Sequence, residues 1–110
     1  MRTFDIKSDH PTVAMAEVRL RGILQGARGM EKAVKIIHGY GSTGVGGAIR
    51  EAVRSLLAER KAAGLIRAYI PGEATVLLMG FDDDIARFKS LLSADPDFRR
   101  GNDGITYVIF

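Results

Sequence analysis

Residues 2–7, "RTFDIK", alternate polar and apolar side chains, the period-two signature of a strand with one face covered. The polar "SDHP" that follows reads as a helix start, with Pro11 tolerated in a first turn because its missing N–H would have had no partner. Val13, Ala16, Leu20, Ile23 and Leu24 then recur at helical spacing, predicting an amphipathic helix that Gly26 and Gly29 end. "KAVKIIH" is a short β-branched run, a second strand finishing in a glycine-rich loop. Ile49, Val53, Leu56 and Leu57 place a second helix from about Gly47 to Ala63, stopped at Gly64, with Arg60 and Lys61 favourable in its last turn. "LIRAYI" is a third strand, closed by Pro71-Gly72. "EATVLLMGF" reads as an apolar loop, a strand or a short helical turn. Asp82, Asp83 and Asp84 suit a helix N-terminus, with Ile85, Phe88 and Leu92 on one face behind them. The turn-rich "SADPDFRRGNDG" leads into a last strand, "ITYVIF".

The element order is therefore βαβα-β(α)β, an α/β domain with two helical crossovers. Such crossovers connect parallel strands and are right-handed. Nothing in the chain marks an internal repeat, a low-complexity segment or a linker, so residues 1–110 are expected to form one domain around one small sheet.

Composition changes this picture little. The net charge of +3 and pI near 9.5 give a mild bias towards anionic partners. The chain has no cysteine, which removes disulfides, thiolate metal sites and thiol nucleophiles and is compatible with a reducing cytosol. "MRTFDIKSDH" lacks the apolar core of a signal peptide, and no run approaches the roughly 18 apolar residues of a membrane span. A cytoplasmic protein is expected.

Candidate chemistry gathers at "HGYGSTGVGG", residues 38–47. Open α/β sheets bind ligands at the carboxyl ends of their strands, and a helix start offers unpaired N–H donors with a partial positive charge. Gly39, Gly41, Gly44, Gly46 and Gly47 would let a phosphodiester approach the main chain closely. Ser42 and Thr43 can add hydroxyl donors or cap the helix. His38 would point a titratable ring into the same space. The alternative is a tight turn whose histidine bonds a neighbouring carbonyl. Gly39 to Gly44 also match GxGxxG, but no acid ends the next strand and the chain is too short for two mononucleotide halves. A Walker lysine is missing too.

With loop and element order together, the chain resembles the Smr family, the small MutS-related domain. The resemblance rests on "HGYGSTGVGGAIREAV", similar to that family's HGxG segment and TGxG-like turn, and on "IRAYIPGE". The ending "DPDFRRGNDGITYVIF" is similar to that of stand-alone members with an extra helix before the last strand. The resemblance implies a small mixed four-stranded sheet with two main helices, similar to the C-terminal domain of translation initiation factor three. It also implies binding to DNA or RNA and, in some members, metal-assisted nicking, with magnesium or manganese as the expected ion. Carried over by position, His38, Gly39 and Gly41 match HGxG, and Thr43, Gly44 and Gly46 match the following turn. Arg50 and Arg54, four apart on the second helix, are then candidate phosphate contacts. The departure is on the first strand. Asp5 matches the acid of an LDLHG-type signature, but Lys7 stands in the histidine's place and Ser8 in the glycine's, with His10 three residues further on.

Phosphodiester hydrolysis needs a base or a metal-bound hydroxide and positive groups on the developing charge. His38 is the candidate base and Asp5 its orienter or a metal ligand, one carboxylate and one histidine being a thin metal site. Asp5 can equally be a solvated strand residue or a capping acid. Lys7 can contact phosphate or face water. Arg99, Arg100 and Asn102 form either a second phosphate contact or a polar turn, and Tyr40 either stacks on a base or packs over the loop. The Asp82–Asp84 run is a solvated helix start rather than a metal cluster. Two function classes follow: a nucleic-acid-binding domain with or without endonuclease activity, and a non-catalytic small-anion or nucleotide-binding module.

Overall fold

The computed structural model describes residues 1–39 and 45–110, the side chains of Val45 and Gly46 apart. Eight elements follow in chain order: β1 (Arg2–Asp5), α1 (Val13–Ala27), β2 (Ala33–Ile37), α2 (Val45–Ala62), β3 (Ala68–Pro71), a 3-10 turn (Gly72–Thr75), α3 (Asp82–Leu92) and β4 (Ile105–Ile109). The ambiguous segment after β3 is thus that 3-10 turn, and the chain beyond it, Val76 to Gly80, is exposed.

The strands lie in the order β1-β2-β4-β3. β1 runs parallel to β2, with Asp5 opposite Ile37. β4 inserts antiparallel between β2 and β3, so the sheet is mixed and β1, β2 and β3 share one direction. α1 and α2 are the two crossovers. Their last turns therefore lie at the end of the sheet where β1 and β2 begin, and His38 lies at the other.

Both faces of the centre are covered, which is why β2 and β4 read as apolar runs instead of alternating. Val34, Ile36 and Val108 face α1 and α2, meeting Leu20, Leu24, Ile49, Val53 and Leu57. Ile70, Ile105, Tyr107 and Ile109 face Phe88 and Leu92 of α3 and Phe98 beyond it.

The helix ends obey local chemistry. Thr12 caps α1, its hydroxyl accepting from Met15 N–H at 3.1 Å, so Pro11 lies just before the helix instead of in its first turn. Gly64 takes φ +74 after α2, where Gly64 N–H reaches Lys61 O and Leu65 N–H reaches Arg60 O. That pair of bonds is a Schellman stop, satisfying two carbonyls the helix leaves free.

On the α3 face a polar network interrupts the apolar layer. Lys35, 8% exposed, donates to Asp95 at 3.0 Å and to Asp97 at 2.8 Å. Tyr107 O–H donates to the same Asp95 at 2.7 Å. Asn102 donates to Asp97, and the Asn102 side-chain oxygen accepts from Gly104 N–H at 2.9 Å. Gly104 O in turn receives both His38 N–H and Gly39 N–H at 3.0 Å. The network thus connects the central strand to the segment before β4, and that segment to the end of β2.

Candidate functional site

Parallel pairing of β1 and β2 brings Asp5 and His38 to one end of the sheet, where the loop after Gly39 leads into α2. This is the place the sequence singles out. Tyr40, Gly41, Ser42, Thr43 and Gly44 lie outside the described residues. Gly46 falls in the first turn of α2, a turn without an acidic residue.

His38 does not face the loop space as the sequence suggests. Two-residue alternation along β2 turns it to the same face as Val34 and Ile36, under α2, and the ring is 0% exposed. Nδ1 lies 2.7 Å from Gly39 O and Nε2 lies 2.8 Å from Thr106 Oγ1. A carbonyl oxygen only accepts, so Nδ1 carries the proton and Nε2 accepts from the Thr106 hydroxyl. Thr106 Oγ1 accepts from Arg54 Nε at 3.3 Å. A single donor chain therefore runs from Arg54 through Thr106 and His38 to Gly39. Burial, aided by the nearby charges of Arg54 and Arg50, pushes the His38 pKa down from 6.5 to about 4. The ring is neutral at pH 7, with neither nitrogen free to exchange a proton with a ligand.

Arg54 is likewise committed. Its guanidinium makes a two-pronged pair with Glu73, 2.8 and 2.7 Å, both side chains being largely buried. It braces α2 against the turn after β3. Arg50, one turn earlier, makes a looser pair with Asp103 at 3.3 Å and stays half-exposed. Both line an open cleft of about 700 Å³ that also holds Glu51, Glu73 and Asp103, so three carboxylates there meet two guanidiniums. The cleft is not a basic groove.

Asp5 turns back on its own chain. Its Oδ1 accepts from Lys7 N–H at 2.8 Å and Ser8 N–H at 3.1 Å, closing the turn after β1. Partial burial raises its pKa, but these donors and the Lys7 charge outweigh that and hold it below the usual carboxylate value. The turn continues through Asp9 and His10, both at positive φ, and is tied to α1 by Arg19, which donates to Ser8 O at 2.8 Å. Lys7 is exposed, its chain passing over Gly39: a β-carbon on Gly39 would sit 3.3 Å from Lys7 Cδ.

The expected second contact divides. Asn102 spends its amide inside the Lys35 network, and Arg99 lies over the Phe98 ring at 5.2 Å. Arg100 is exposed, and among the described residues its guanidinium makes no hydrogen bond, ion pair or ring contact. Asp82, Asp83 and Asp84 open α3 as expected, with Lys61 paired to Asp84 at 3.1 Å.

The donor set does not fit a divalent metal. Among the described residues no three His, Asp or Glu side chains converge, the His38 nitrogens are spent, and one of the two Asp5 oxygens, Oδ1, is taken by backbone donors.

Sequence reasoning missed Lys35, Asp95, Thr106 and Glu73. A signal existed for the first two: a lysine inside an apolar strand needs a buried acid, and "DPD" is the segment that supplies one. Thr106 and Glu73 carry no such mark.

No protein-family model and no curated protein matches the chain. Among solved structures, the crystal structure of the Smr domain of Thermus thermophilus MutS2 matches with a TM-score of 0.60 at 22% identity. The match covers 99% of this chain and 96% of that one. Over its whole described length, the chain therefore has the Smr-like fold, a four-stranded mixed sheet with three helices.

Proposed function

We propose that this chain is a nucleic-acid-binding domain of the Smr type that binds without cutting through His38. The observation that carries the reading is the Smr-like fold, with the His38-Gly39 segment at the end of β2 and a helix beginning just beyond it. Phosphates are received by the loop amides, Ser42 and Thr43, with Lys7, Arg50 and Arg100 as surrounding charges and Tyr40 stacking on a base. His38 holds the Gly39 carbonyl instead of acting on the phosphodiester. Its inward ring and the commitment of Asp5 favour binding over hydrolysis.

Fluorescence anisotropy with DNA and RNA oligonucleotides across a salt series tests this. Binding is expected to weaken linearly on log–log axes as released counterions are opposed. A folded protein without detectable binding at low salt would overturn the reading. Supercoiled plasmid and structured RNA, incubated with magnesium or manganese, are expected to stay intact. Nicking that scales with protein concentration would restore the endonuclease alternative.

A further inference from the structure

At the opposite end of the sheet from His38, α1 and α2 finish side by side over a cavity of about 300 Å³. Arg21, Arg28 and Arg60 line it, and among the described residues no Asp or Glu does. Among the described residues none of these three guanidiniums makes an ion pair within 4 Å, donates a side-chain hydrogen bond or lies over an aromatic ring. The other arginines are occupied, Arg100 excepted. Arg50 and Arg54 pair with acids, Arg19 bonds main-chain carbonyls, and Arg2, Arg67, Arg87 and Arg99 lie over phenylalanine rings. Three partnerless cations facing one cavity repel each other, an arrangement an anion relieves. Leu24, Leu65, Ile66 and Phe110 bring apolar side chains to the wall, and Gln25 a polar one.

We infer that this cavity is a second binding site, for a phosphate monoester carried on a flat ring, the chemistry of a nucleoside 5′-monophosphate. A monoester carries close to two negative charges at pH 7 and three terminal oxygens, which suits several guanidinium forks better than a singly charged diester. The apolar wall offers the ring a surface, and the volume sits at the small end of ligand pockets. Such a group reaches the site either as a free nucleotide or as the phosphorylated 5′ end of a strand. The site stands apart from the β2–α2 loop and does not depend on the loop binding phosphate.

Adenosine 5′-monophosphate is titrated into the full chain by NMR and calorimetry, and paired oligonucleotides with 5′-phosphate or 5′-hydroxyl ends are compared by anisotropy. The variants are Arg28→Gln with Arg60→Gln, neither of them in the core, and Arg87→Gln as a control at an exposed arginine of α3 outside the cavity, with folding checked by circular dichroism. Mononucleotide affinity is expected to fall at least tenfold in the double variant and to stay unchanged in Arg87→Gln. A 5′-phosphate advantage lost in the double variant identifies a strand end as the source. Dependence confined to the mononucleotide identifies the free compound. No mononucleotide binding at millimolar concentration together with no 5′-phosphate advantage, or binding that survives the double variant, overturns the inference. Loop-directed binding of 5′-hydroxyl oligonucleotides is read separately in the same titrations.

Discussion

The buried histidine makes stability depend on pH in a way that can be worked through. In the folded chain His38 is neutral with a pKa of about 4, whereas in the unfolded chain it titrates near 6.5. Between those values the unfolded state binds a proton that the folded state refuses. The stabilisation is therefore complete above about pH 6.5, declines as pH falls, and is gone below about pH 4. The interval spans about two and a half pH units at about 1.4 kcal/mol each, giving ~3 kcal/mol. Urea unfolding followed by circular dichroism at half-unit steps from pH 4 to 8 measures it, on the wild type and on His38→Gln. Glutamine keeps a donor and an acceptor but does not titrate, and carboxylate contributions common to both chains cancel in the difference. The variant is expected to start less stable and to lose about 3 kcal/mol less on acidification. Equal pH slopes in the two chains, or an NMR titration placing the ring at pH 6 or above in folded protein, would refute the Arg54–Thr106–His38–Gly39 donor chain.

Lys35→Met leaves Asp95 and Asp97 facing a buried void of charge, and is expected to cost about 3–5 kcal/mol in urea unfolding. A loss under about 1 kcal/mol would mean that the segment before β4 is held by other contacts. At Gly72 a β-carbon would collide with Asn102 O and lie 2.7 Å from Ile105 Cγ1, so Gly72→Ala is expected to cost about 3 kcal/mol, the upper end for overpacking. Thermal unfolding within a degree of wild type would contradict that contact. Arg54→Ala and Lys7→Ala should separate bracing from binding. The first strands Glu73 and is expected to lower stability by about 3 kcal/mol. The second is expected to leave stability unchanged while reducing the salt slope of duplex binding by about 0.9. The opposite pattern would exchange their roles.

The Smr-type architecture was legible because its signals are local. Val13 to Leu24 and Ile49 to Leu57 repeat with the helix period, Gly64 marks a stop that two backbone bonds then fill, and Asp82 to Asp84 mark a start. The site was legible only as a place. "HG" at the end of a β-branched run predicts a strand end before a helix, and the structure puts it there. It does not say which way the imidazole turns, because the face it takes depends on strand register and on what α2 lays across it.

Periodicity, capping residues and the glycine-rich junction by themselves determined the element order, the number of crossovers and the end of the sheet at which to look. Only the tertiary structure decided that Arg54 is spent on Glu73, that Thr106 sits between Arg54 and His38, and that Lys35 meets Asp95 and Asp97. It alone brought Arg21, Arg28 and Arg60 around one cavity. Helix and strand periods are properties of neighbours along the chain, whereas a hydrogen bond between residues 38 and 106 exists only because β4 inserts antiparallel beside β2 in one particular register.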